Sequence, residues 1–252
     1  MEKLYSTYRK GAYAERRKAW EPWMRDKDIG GFDPLLDKEN VEKRRVLIED
    51  AFNEVGLNRN FKITVDFGGD QGQFFPKQAT GKKYLLDISA KPNNDKNDQD
   101  FELISALGQI NERVDLIINC FVLEHVSQPR EFLKSLSDFL ARDGVLLIQV
   151  PLDNFKVSRF HSTNLYKKYL KYLNSTKYVF ILMDFLSGVY RLTTRRIPFW
   201  GICKQSEHIN YFSTHSLRIL CNSIVNEAWV SEPNMNYRHG RLPAGHLSAI
   251  IQ

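Results

Sequence analysis

The segment Val65-Asp66-Phe67-Gly68-Gly69-Asp70-Gln71-Gly72 constrains this chain most. It follows a short β-type run, Phe61 to Val65, and sets three glycines within five positions. Glycine allows a sharp turn with positive φ and lets a ligand approach the backbone. A second apolar run, Tyr84-Leu85-Leu86, ends in an acid, Asp87, twenty-one residues after Asp66. A glycine turn with an acid about twenty residues on grips a nucleotide cofactor at the edge of a parallel sheet, the acid binding a ribose hydroxyl. The spacing is not G-x-G-x-x-G, which points away from NAD and toward another adenosine cofactor.

The rest of the chain reads as the scaffold such a loop needs. From residue 61 short apolar runs alternate with helical stretches. Ile63 to Phe67, Tyr84 to Ile88, Val114 to Cys120 and Val145 to Val150 are expected strands, the third buried on both faces. Pro129 opens a helix with a stripe at Phe132, Leu133, Leu136, Phe139 and Leu140. Asp143-Gly144 is expected to end it. Ser213 caps a helix bearing Leu217, Leu220, Cys221 and Ile224. Apolar runs at Trp229-Val230 and Leu247 to Ile251 supply the last strands. This alternation predicts an α/β fold with a Rossmann-like, doubly wound, mostly parallel sheet. N-terminal helices precede it, with Val41, Val46, Leu47, Ala51 and Val55 as the apolar stripe of the second. A helical insertion follows the strand at Val145 to Val150. The expected division is an N-terminal helical segment at 1–60, a core at 61–151, a basic insertion at 152–206 and the closing part of the sheet at 207–252.

Charge placement says more than its sum. Between Lys156 and Lys204 lie ten Lys/Arg and one acid, Asp184. That segment carries +9, leaving −3 for the rest of a chain whose formal net charge is +6. A basic insert on an acidic body suits one cationic surface facing an anionic partner. Cys120, Cys203 and Cys221 form no C-x-x-C pair, so neither a disulfide framework nor a metal site is expected. The longest apolar run, Tyr178 to Met183, falls far short of the ~20 residues of a membrane span. Met1 to Arg17 is polar and charged, without the apolar core of a leader. A cytoplasmic protein, monomer or dimer, is expected.

Three blocks carry a family resemblance. They are Asp66 to Gly72, similar to D-x-G-x-G-x-G; Val114 to Val126 running through a helix into Asp143 to Pro151, similar to an F-D strand, L-E-H-V, helix, P-G-G and strand-P; and Glu207-His208-Ile209-Asn210-Tyr211-Phe212-Ser213, similar to E-H-x-x-Y-F-S. With them the chain resembles the class I S-adenosylmethionine (SAM)-dependent methyltransferases, in the branch of bacterial sugar and surface-polysaccharide pathways. Asp70 replaces the middle glycine of the loop, a position where Asp tolerates positive φ. Sugar C-methyltransferases have a tyrosine where Gln205 stands, and carry zinc-binding cysteines and a further domain, neither of which is expected here. Oxygen methylation is therefore the expectation.

The resemblance implies SAM as cofactor, held by Asp66, Gly68, Gly69, Asp70, Gly72, Asp87, Ile88, Cys120 and Phe121. It implies His208 as base with Glu207 orienting it. His125, Arg195, Arg196 and Tyr211 are expected to face an anionic, phosphorylated or nucleotide-linked acceptor. Arginine forks suit phosphate and aromatic faces suit a base or sugar ring. Nucleic acid is not the expected partner, since no RNA-binding module or stacking motif is visible. RNA methylation, a lipid or lipid-linked acceptor with Tyr178 to Leu186 resting on a membrane, and a degenerate SAM-binding protein remain the rival readings.

Overall fold

The computed structural model describes residues 11–22, 38–69, 71–87, 100–152, 159–194, 196–202, 208–225, 227–231, 234–239 and 242–252. Six helices lie among them: α1 (Gly11–Trp20), α2 (Lys38–Glu54), α3 (Pro129–Ser137), α4 (Asn164–Ser175), α5 (Lys177–Thr194) and α6 (Thr214–Asn222). Eight strands form one sheet: β1 (Phe61–Phe67), β2 (Ala79–Leu86), β3 (Glu102–Ile104), β4 (Val114–Cys120), β5 (Leu140–Leu152), β6 (Trp229–Val230), β7 (Asn234–His239) and β8 (Leu242–Ile251). The chain divides into two compact units, one of residues 1–6, 32–153 and 208–252, the other of 7–31 and 154–207.

In the first unit the strand order is β3-β2-β1-β4-β5-β8-β6, with β7 on β8. The pairs β1–β2, β1–β4, β2–β3 and β4–β5 are parallel, and β8 runs antiparallel to β5, β6 and β7. The order reverses direction between β1 and β4, the switch point at which open α/β sheets bind ligands.

Apolar residues on alternate strand positions feed two cores. On one side Ile48, Ala51 and Phe52 of α2 pack with Phe61, Leu116, Ile118, Cys120, Val145 and Leu147. On the other, Leu133 and Leu136 of α3 and Leu217 and Cys221 of α6 pack with Val65, Ile117, Leu146, Ile148 and Leu247. Both faces of the sheet are thus covered by helices, as a parallel sheet requires. Ser213 caps α6 as expected, its hydroxyl accepting from the Ser216 N–H. Asp115 serves structure: its carboxylate accepts the Lys62 and Ile63 N–H groups at 2.9 and 3.0 Å, pinning β4 to β1.

Several local expectations shift. Asp143-Gly144 lies inside β5 instead of ending a helix, because the strand begins at Leu140 and α3 stops at Ser137. The buried positions of α2 are Arg44, Ile48, Ala51 and Phe52, whereas Val46 is exposed. Ala51 and Val55 keep their expected core-facing places, and buried Arg44 joins that side. The strand β7 was not expected.

The second unit holds α1, α4 and α5. The Trp20 and Phe180 rings meet edge to face at 5.4 Å, joining α1 to α5. Tyr166 and Tyr169 of α4 donate to the carbonyls of Gly201 and Trp200 at 2.6 and 2.8 Å. No helix of the described residues is long and apolar enough to cross a membrane.

Candidate active site

The site grows from the ends of β1, β2 and β4. Gly68 follows β1 at φ +76° and Gly72 lies at φ +71°, left-handed values that an L side chain rarely adopts. The Gly68 N–H donates to Leu86 O at 2.7 Å, tying the turn to the end of β2, where Asp87 stands half-buried. At Gly69 a Cβ would fall 2.1 Å from the carboxylate of fully buried Asp66. The loop and the acid therefore share one close-fitted space.

Cys120 ends β4. Its thiol donates to Gln149 Oε1 at 3.4 Å, and Gln149 Nε2 donates to Ser248 Oγ at 3.3 Å. Burial pushes the thiol pKa well up, the Asp66 carboxylate adds to this, and Arg44 pulls the other way. Asp66, Cys120 and Arg44 thus lie within one electrostatic neighbourhood. The Arg44 guanidinium stacks over the Phe121 ring at 4.5 Å and the Phe74 ring at 5.4 Å. Phe121 itself has φ 59°, a strained value for a bulky residue. Asn119, the residue before Cys120, is fully buried, and neither of its amide atoms has a hydrogen-bond partner among the described residues. An unmet buried amide costs roughly 1–3 kcal/mol, so this strand end suits a polar ligand.

A second cluster adjoins the β4 end. Leu123–His125 form a single 3-10 turn directly after Phe121-Val122. The segment that leads into α6 is stitched to that turn. The Ile209 and Asn210 N–H groups donate to Glu124 O at 2.8 and 3.0 Å. Asn210 Nδ2 donates to Leu123 O at 3.1 Å and Val126 O at 2.6 Å. The clasp brings the His208 and His125 rings to 5.0 Å, edge to face. Buried Glu124 lies beside them, 3.9 Å from His125 Nε2. The donor atoms of Glu124, His125 and His208 all lie within 4.8 Å of one another, so this trio is the candidate set for a divalent ion among the described residues.

The expected site residues therefore divide. Asp66, Gly68, Gly69, Gly72, Asp87, Cys120 and Phe121 line the ends of β1, β2 and β4. His125 and His208 come together. Tyr211 precedes Phe212, which bridges to Leu152 and so brings the chain back beside the end of β5. Arg196 is exposed in the second unit. Asp70, Ile88, Arg195 and Glu207 lie outside the described residues. Sequence reasoning missed Arg44, Asn119 and Asn210, and gave Glu124 no role. Arg44 had one signal, a cation in the middle of an otherwise apolar helical stripe.

The profile of a methyltransferase domain matches residues 40–223. The chain belongs to this methyltransferase-domain family. No curated protein sequence matches it significantly. Among solved structures, the methyltransferase's fold is similar to that of the plantazolicin methyltransferase BamL, solved with a triazolic desmethylPZN analog and SAH. The TM-score is 0.53 at 13% identity, covering 100% of this chain and 98% of that one. It is similar also to magnesium protoporphyrin IX methyltransferase (ChlM) from Synechocystis PCC 6803 with bound SAH, at TM-score 0.50 and 12% identity, covering 100% and 98%. A possible histamine N-methyltransferase from Thermotoga maritima matches at TM-score 0.50 and 12% identity, covering 86% and 90%. At these identities the likeness concerns the fold, and the strand order with its antiparallel β8 agrees with it.

Proposed function

We propose that this methyltransferase moves a methyl group from SAM to an oxygen of a phosphorylated or nucleotide-linked sugar, or a similar anionic small-molecule precursor of bacterial surface polysaccharide, in the cytoplasm. The supporting observation is the Glu124–His125–His208 cluster clasped beside the strand end that carries the glycine turn. The residues fit the cofactor: a turn in which a Cβ at Gly69 would collide with Asp66, an acid at the end of β2, and a fully buried Asn119 amide. Asp87 would accept from ribose hydroxyls. Asp66 and Arg44, of opposite charge, suit the amino and carboxylate groups of the methionine end. SAM bound there would supply an electrophilic methyl carbon.

The chain's own task is then to orient the acceptor and take its proton. His208 takes the hydroxyl proton, and buried Glu124 stabilises the imidazolium that results. A positioned base of this kind contributes about 10²–10⁴-fold. His125 and Tyr211 orient the acceptor. The +9 charge of residues 156–204 supports an anionic acceptor.

The experiment is incubation with labelled SAM and a panel of nucleotide-sugars and sugar phosphates, read by mass spectrometry. For the methylated acceptor, His208→Ala lowers turnover at least about a hundredfold, while calorimetry shows SAM binding intact. Unchanged turnover removes His208 from the chemistry. Methylation of none of the panel refutes the acceptor class.

A further inference from the structure

Helix α5 turns an apolar face outward. Tyr178, Val179, Leu182, Phe185, Leu186, Val189 and Tyr190 recur at three- and four-residue steps and stand 39–83% exposed. The opposite side carries Phe180, packed on Trp20, with polar groups beside it. Asp184 and Ser187 are buried, and the Ser187 hydroxyl donates to Met183 O at 2.7 Å and accepts the Ile202 N–H at 2.9 Å. A helix lying on a core and facing water shows the reverse arrangement. With whole aromatic side chains at ~150–250 Å² each, the three aromatics alone leave roughly 350 Å² in solvent. Four half-exposed aliphatics enlarge the patch beyond what monomers ordinarily expose, about 300–600 Å². Tyr178 and Tyr190 stand ~18 Å apart along the axis, with Leu182 and Phe185 between them.

Charge decides the occupant. Lys167, Lys168 and Lys171 on α4, Lys177 at the start of α5 and Arg196 after it are all exposed. The sole acid among described residues 159–202 is buried Asp184. An apolar strip on a segment whose one acid is buried and whose lysines are exposed matches an anionic bilayer surface, with hydrocarbon beneath and phosphates around. A second copy of the chain suits it less, because a two-fold contact would set these cations against their own copies.

We propose that the outer face of α5, with the lysines of α4, docks the protein on an anionic lipid surface. The proposal does not depend on which acceptor is methylated. It is tested by floating the full chain on a density gradient with phosphatidylcholine vesicles, with and without phosphatidylglycerol, at low and high salt. The chain floats with the phosphatidylglycerol vesicles. Recovery falls on the order of tenfold with phosphatidylcholine alone, with high salt, or on charge reversal of Lys167, Lys168 and Lys171. Leu182→Glu with Leu186→Glu abolishes flotation, while the thermal transition and its shift by SAM stay unchanged. These exposed positions leave the fold intact, and the SAM shift separates this test from that of the methyl transfer. Failure of the unaltered chain to float with either vesicle overturns the proposal. So does a dimer in light scattering that the double variant converts to a monomer, since the face then joins two copies.

Discussion

Asn210→Ala is the most searching perturbation of the site. The Asn210 amide makes two hydrogen bonds that close the Leu123–His125 turn against the returning chain, to Leu123 O at 3.1 Å and Val126 O at 2.6 Å. Each is worth about 0.5–1.5 kcal/mol net, so their joint loss costs roughly 1–3 kcal/mol. At about 2–4 °C per kcal/mol for a domain of this size, the transition falls by roughly 4–8 °C for a 2 kcal/mol loss. The backbone bonds from Ile209 and Asn210 to Glu124 O remain, so the segment loosens without detaching. His208 then loses its fixed place beside His125, and a misplacement on the order of 1 Å costs turnover up to about a hundredfold. SAM affinity holds, because no group of the glycine turn is touched. Asn210→Asp behaves no better, since a carboxylate facing two carbonyls has no proton to donate. The assays are thermal denaturation, SAM titration calorimetry and initial rates with labelled SAM. A lowered transition with undiminished turnover refutes the reasoning, for it would show that the chemistry ignores the geometry of the histidine pair.

Three further outcomes follow from the same geometry. Gly69→Ala weakens SAM at least about tenfold in calorimetry, because the new methyl would meet the Asp66 carboxylate 2.1 Å away and a ligand loop tolerates little displacement; equal affinity would mean that this turn does not hold the cofactor. Burial raises the Cys221 thiol from 9.0 to about 12, so its contribution to stability is full below pH 9 and is lost as pH rises toward 12. The slope is roughly 1.4 kcal/mol per pH unit for one thiol, and Cys221→Ala flattens the pH dependence of the denaturant midpoint; an unchanged slope contradicts the assignment. Exhaustive dialysis against a chelator leaves turnover intact. The proposed role of His208 as base needs its imidazole nitrogen free, and a bound ion would occupy it. Activity lost to the chelator and restored by one divalent ion would reassign the cluster as a metal centre.

The sequence by itself determined most strands of the sheet and the glycine turn at its edge. Period-two and continuous apolar runs reveal strands because the pleat sorts alternate residues to opposite faces, and the glycine turn announces itself because few other residues adopt its φ. Tertiary structure decided the rest. That Arg44 turns inward over Phe121 depends on the facing strands. That Glu124, His125 and His208 meet depends on a side chain, Asn210, bonding carbonyls more than eighty residues earlier; no local pattern encodes such a contact. The same limit holds for α5. The sequence told that this insertion is helical, but periodicity is blind to which side meets the interior. Only packing showed that Asp184 and Ser187 are inside and the apolar strip is out.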